Sequence, residues 1–251
     1  MNKNLILTGI LITLTTIISC NDTKTKKEPA STVETLNTVE ETPEDVVSTT
    51  DTKKSPEDFV PENYIISDTI YGDLNKDNIE DCILIIKGTD KSKIIKDEYR
   101  GRLDRNRRGI IVLLNKNDGY ELAAKNYDCF SSENEDGGVY FAPELSFEIK
   151  NAKLYINYGH GRYGYWQYTF RYQNSDLELI GYDASNNHGP VVESQTSINF
   201  LTGKKIVDHN TNDNADSGEE VFEKTVTKMN KSKLIKLSEI KDFDELEVSG
   251  E

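Results

Sequence analysis

The sequence predicts an all-β protein: antiparallel meanders forming blade-like sheets or a β-sandwich, carried behind a disordered tether. Three observations predict it. From Tyr64 onward the apolar runs are of strand length rather than helix length. They are enriched in Ile, Tyr and Phe and are separated by clusters of Asn, Asp and Gly. Where alternation is legible it has a period of two: Trp166, Tyr168, Phe170 and Tyr172 share one face, and Gln167, Thr169 and Arg171 the other.

The chain begins with a weakly basic Met1-Asn2-Lys3-Asn4 and an apolar stretch from Leu5 to Ile18, broken only by Thr and one Gly. A charged start, a short apolar stretch and a small residue before a break describe a secretory signal over residues 1–19, not a membrane span. Ile17-Ile18-Ser19-Cys20 resembles the lipobox of bacterial lipoproteins. That resemblance implies that Cys20 carries acyl chains such as palmitate and becomes the new N-terminus. It places the protein in the cell envelope, anchored to a membrane, the outer one by preference, and facing the periplasm or the exterior.

Residues 21–57 contain no aromatic residue and few large aliphatics. Such a segment buries too little surface to offset its chain entropy. With Cys20 it forms the linker, residues 20–57, and leaves residues 58–251 as a single β-rich domain.

Composition limits the partners. The chain has 251 residues, 30 Lys plus Arg and 44 Asp plus Glu, and a net charge of −14. Such a surface repels nucleic acid and anionic lipid headgroups. Attachment to a membrane must therefore come from acyl chains rather than a basic patch. Apart from Cys20 the chain has Cys82 and Cys129. Two cysteines in an exported protein can pair, whereas Cys82 inside an apolar run also reads as a small packed hydrophobe.

The strands follow in order. Tyr64–Tyr71, Asp81–Lys87, Gly109–Leu114 and Tyr120–Ala124 form a first meander, with Asp118-Gly119 as a hairpin signal. Leu145–Ile149, Leu154–Tyr158, Trp166–Tyr172 and Leu177–Tyr182 form a second, turning at Asn151-Ala152-Lys153 and at Asn174-Ser175-Asp176. Ser197–Leu201 and Lys205–Val207 bracket Thr202-Gly203. Near the C-terminus Leu234, Leu237 and Ile240 suit a short helical turn.

One loop is chemically specific. Between Gly72 and Asp81, oxygen-bearing side chains fall at Asp73, Asn75, Asp77 and Asp81, and Ile79 can offer its carbonyl. Ca²⁺ takes six to eight oxygens. The segment Tyr71–Ile86 resembles the FG-GAP/VCBS-type repeats of extracellular β-rich proteins, whose acidic loop precedes an apolar strand. The resemblance implies Asp73, Asn75, Asp77, Ile79 (by its carbonyl) and Asp81 as ligands of Ca²⁺. Asn78 stands where those repeats usually have Gly; Asn tolerates positive φ. The acidic segments Asp208–Asp216 and Glu133–Gly138 read as polar loops.

Two further clusters bear on binding. Arg100, Arg102, Arg105, Arg107 and Arg108 are five of the seven arginines in the chain. They read either as an anion-binding loop or as a loop paired with the protein's own acids. His160, Tyr163 and Tyr165 lie at the tip of an aromatic-rich hairpin that could meet a sugar or a peptide. No His-x-x-x-His spacing and no G-x-S-x-G elbow is present.

The segments Tyr168–Asn174, Leu179–Asp183 and Ser197–Gly203 resemble strand segments of Bacteroidetes-type lipoproteins, a likeness that implies location and fold class but no activity. The reading that follows is a lipid-anchored, non-enzymatic β-domain stabilised by Ca²⁺ that binds a protein or a glycan. The alternatives are an envelope hydrolase acting on glycan or peptide, and an inhibitor or immunity protein.

Overall fold

Each apolar run becomes a strand, and every strand pairs antiparallel with its neighbours. The computed structural model describes residues 52–136, 141–230 and 232–248. The signal sequence, Cys20 and the linker up to residue 51 lie outside the described residues, whereas residues 52–57, expected as the end of the linker, belong to the folded domain because Thr52 and Lys53 pair with the strand Tyr120–Phe130 and Pro56 opens a 3-10 turn. The chain from Ser48 onward is one compact unit.

The first sheet contains β1 (Thr52–Lys53), β2 (Tyr64–Gly72), β3 (Asp81–Gly88), β6 (Arg108–Asn115) and β7 (Tyr120–Phe130), in the order β1-β7-β6-β3-β2. Between β3 and β6 the chain makes a separate hairpin, β4 (Ile94–Asp97) with β5 (Gly101–Asp104). The second sheet is a meander of seven strands: β8 (Glu144–Ile149), β9 (Leu154–Gly159), β10 (Gly164–Gln173), β11 (Asp176–His188), β12 (Val191–Asn199), β13 (Lys204–Asn210) and β14 (Phe222–Lys228).

The turns explain the register. Asn151-Ala152 and Asn174-Ser175 all take positive φ, which is the two-residue turn whose twist matches paired strands. Asn117 takes φ 65° in the turn between β6 and β7, so the left-handed position falls just before Asp118-Gly119.

The second sheet is longer than the four-stranded meander expected. β14 escapes a pattern reading because Phe222-Glu223-Lys224-Thr225-Val226-Thr227-Lys228 is exposed along its whole length and carries no core signature. The hairpin β4–β5 escapes for the same reason: of its strand residues only Leu103 is buried.

The two sheets face each other across one core. Ile83, Ile85, Ile110 and Val112 from the first sheet meet Leu154, Ile156, Tyr168, Phe170, Leu177 and Leu179 from the second. As predicted, Trp166 and Tyr172 pack on the same side as Tyr168 and Phe170. The sheets approach along β2 and β8, where a Cβ on Gly72 would lie 2.6 Å from the Ile149 side chain. At the C-terminal end the expected helical turn is a single 3-10 turn, Leu237–Glu239, and Leu237, Ile240 and Phe243 seal the core.

The outer face of the first sheet has a second, smaller cluster. Cys82, Leu84, Ile86, Ile111 and Leu113 are covered by Phe59, Val60, Tyr64, Ile66, Tyr120 and Tyr127. Cys82 belongs to this cluster and Cys129 to the main core, so the two thiols lie on opposite faces of one sheet and both are free. Burial pushes the Cys82 thiol up to about 11 and that of Cys129 further still. Neither forms thiolate readily at neutral pH. Adding a reductant should therefore leave the melting temperature of residues 48–251 unchanged, and thiol reagents should react only on unfolding; a drop in melting temperature on reduction would contradict this arrangement.

Candidate functional site

The strand directions divide the functional side chains between two ends of the domain. The acidic loop leads into β3 at one end. At that end also lie the β6–β7 turn, which bonds to Asp81, and the β8–β9 turn, which shares an open cleft with Gly72, Asp73, Lys76 and Asn78. β1 pairs with the start of β7, Thr52 with Glu121 and Lys53 with Tyr120, so the chain comes into the domain at this same end. The β4–β5 hairpin and the β9–β10 tip lie at the opposite end.

The acidic loop is an ordered structure. The Asp73 Oδ1 accepts from the Lys76 N–H at 2.6 Å and its Oδ2 from the Asn78 N–H at 3.0 Å. The Asn75 Oδ1 accepts from the Asp77 N–H, while its Nδ2 donates to the Asp77 Oδ2 at 2.8 Å. The Asp77 Oδ1 accepts from the Ile79 N–H at 2.9 Å. These bonds hold the Asp77 carboxyl below its usual range, the Asn75 amide most of all. Asn78 takes φ 66°, the conformation that favours Gly at this point of such loops.

Asp81 differs from its neighbours. It is fully buried and accepts from the Leu74 N–H at 2.8 Å and the Asn115 N–H at 3.0 Å. It therefore ties the acidic loop to the β6–β7 turn. Burial pushes its carboxyl up, and those two N–H groups pull the other way. Ile79 contributes no core contact; its side chain is partly exposed.

All of the loop's candidate donors are oxygens, the chemistry Ca²⁺ takes. Each carboxylate oxygen already accepts one N–H and keeps a further lone pair. No group of three His, Cys, Asp or Glu side chains is drawn together as a metal cage among the described residues. The loop is thus of the right composition for a hard cation, and its shape is held by hydrogen bonds to its own backbone.

The arginines are engaged by the protein itself. Arg100 pairs with Asp136 at 2.7 Å, Arg105 with Glu135 at 2.7 Å, and Arg107 with Asp242 at 2.8 Å. The Arg108 Nε donates to the Ser131 carbonyl at 2.9 Å. Four of the five clamp the β4–β5 hairpin and the strand ends to the 131–136 segment and the C-terminal segment. Arg102 alone is exposed without such a partner among the described residues. The geometry is that of internal pairing rather than of an open anion pocket.

At the β9–β10 tip, Tyr163 and Tyr165 are 40 % and 47 % exposed, and the His160 and Tyr163 rings lie 5.2 Å apart. Trp166 turns inward and stacks on Tyr158 with ring centroids 5.2 Å apart. Tyr99 on the β4–β5 hairpin is 91 % exposed, and Phe141, shortly before β8, is 74 % exposed. These two were not singled out in the sequence, because a lone aromatic in a polar segment carries no periodicity.

His188 and His209 are twenty-one residues apart and share no sequence motif. The β11–β12–β13 meander places both on one open cleft with Glu193 and Asp213. Only strand register brings them together, and no spacing rule would find it.

No family model matches the chain, and comparison with curated proteins and with solved structures returns no match.

Proposed function

We propose that this chain is a lipid-anchored, non-enzymatic β-domain of a bacterial cell envelope that binds a protein or glycan partner through the loops at the end away from its tether. The observation that carries this reading is the polarity of the domain. The chain comes in at β1, beside the acidic loop. The exposed aromatics Tyr99, Phe141, Tyr163 and Tyr165 lie at the opposite strand ends, against Tyr71 at the acidic-loop end. Aromatic side chains offer large contact area at low entropic cost, and they serve carbohydrate rings and peptides alike.

The test is capture by immobilised residues 48–251 from envelope extract and on a glycan array. The wild type should retain a partner that Tyr163→Ala/Tyr165→Ala releases. Equal retention by both proteins would move the site elsewhere, and turnover of a captured glycan or peptide would replace the binder by a hydrolase.

The second part of the reading is that Asp73, Asn75, Asp77, Asp81 and the Ile79 carbonyl hold Ca²⁺. Because the loop closes on its own N–H groups, the ion would add stability without being required for folding, in the weak range of extracellular modules. At about a hundred times Kd, Ca²⁺ should add roughly 2.7 kcal/mol. Melting of metal-stripped residues 48–251 against Asp73→Ala/Asp77→Ala checks this. A Ca²⁺-dependent rise confined to the wild type is expected; no rise in either would reduce the loop to an acidic turn.

A further inference from the structure

We infer that the outer edge of β14 pairs with the same edge of a second copy of this chain, joining two seven-stranded sheets into one across a two-fold axis. The two sheets of the domain leave few open edges. β8 lies against β2, and β1 covers the start of β7. β14 borders β13 on one side, and no described strand pairs with its other side. Its seven residues are all exposed, with Phe222 at 43 % and Val226 at 56 %.

The hydrogen bonds fix which backbone groups face outward. The Met229 N–H donates to the Gly203 carbonyl, and the Val221 carbonyl accepts from the Thr211 N–H. The odd-numbered residues of β14 therefore turn their N–H and C=O groups toward β13. The even-numbered residues, Phe222, Lys224, Val226 and Lys228, present theirs to the outside. A long row of unpaired groups of this kind is a template for another strand.

Charge selects the register. In a two-fold antiparallel pair, centring on Lys224 sets Lys224 against its own copy. Centring on Val226 sets Lys224 against the second Lys228, and centring on Glu223 opposes two glutamates. Centring on Thr225 avoids every like-charge pair with the whole strand paired; centring on Phe222 or Thr227 avoids them only by leaving most of the strand without a strand partner. Phe222 then faces Lys228, Glu223 faces Thr227, Lys224 faces Val226, and Thr225 faces Thr225. The same register sets outward-facing residues opposite one another, so Lys224 and Val226 exchange both N–H···O bonds. Each Lys228 stem can lie along the facing Phe222 ring.

The second copy is the occupant that this self-complementarity favours. The contact is one strand wide, well under the area of a permanent interface, so the dimer should be weak and concentration-dependent. Each copy carries a net charge of −14, so added salt should strengthen association by screening the long-range repulsion.

The experiment is cysteine cross-linking of residues 48–251, with sedimentation velocity alongside. In this register Thr225 and its copy form a non-hydrogen-bonded pair, with Cα atoms about 4.5 Å apart, within disulfide range. Thr225→Cys should give a disulfide dimer under mild oxidation, and Thr227→Cys, two residues off the axis, should give at least tenfold less. Adding Val226→Pro to Thr225→Cys should abolish the cross-link, since it removes an outward N–H that β13 does not use. Unchanged melting of that variant shows that the fold persists. Equal cross-linking at 225 and 227, or a wild type that sediments as a monomer at every concentration and salt, overturns the proposal.

Discussion

Phe243→Ala should cost about 3–5 kcal/mol, the range for removing a fully packed aromatic ring. Phe243 is 2 % exposed, although it sits in the acidic stretch Lys241-Asp242-Phe243-Asp244-Glu245. Its ring stacks on Phe130 with centroids 4.8 Å apart and meets Tyr168 edge-on at 5.1 Å. Its backbone is held as well: the N–H donates to the Cys129 carbonyl at 3.0 Å, and the Tyr168 hydroxyl donates to its carbonyl. The C-terminal segment thus closes the core between the two sheets. Chemical denaturation of residues 48–251 carrying this change should show the loss. A loss below about 1 kcal/mol would mean that the segment is an ornament on an already closed core.

Phe243 also shows where pattern reading fails. A strand that faces one sheet writes its burial as alternation, and Trp166–Tyr172 was legible for that reason. A segment that drops one ring into a gap between sheets writes nothing periodic. Leu237 and Ile240 were legible because their spacing imitates a helical turn, although the turn itself is a short 3-10. The acidic loop was legible in composition and in its left-handed Asn78, since local chemistry decides both. The engagement of the arginines was not, because Asp136, Glu135 and Asp242 reach them only through the fold. The polarity of the domain was likewise hidden, since it follows from strand directions and from where β1 pairs.

Asp81→Ala should cost about 3–5 kcal/mol in calcium-free buffer. It strands the buried N–H of Leu74 and the partly buried N–H of Asn115, at about 1–3 kcal/mol each. Asp81→Asn separates hydrogen bonding from charge. The amide oxygen can accept from one of these groups, but its NH₂ then faces the other donor, so most of the cost should remain. The pH dependence gives a second reading. Burial raises the Asp81 carboxyl above its ordinary range in the fold, against the pull of its two N–H donors. A group raised in the folded state contributes stability that is fully present below its unfolded value and lost as pH rises through its folded value. The penalty of Asp81→Asn should therefore be larger in mild acid than at neutral pH. Denaturation of both proteins across that window decides the matter: a penalty that grows with pH would mean that the N–H groups outweigh burial. Asp81 is also the residue where the calcium reading and the structural reading meet. Asp73 and Asp77 accept N–H groups within an exposed loop, so their removal should cost less than that of Asp81 in calcium-free buffer and more once Ca²⁺ is present. Asp81 should matter in its absence too, because it fastens that loop to the sheet that carries the core.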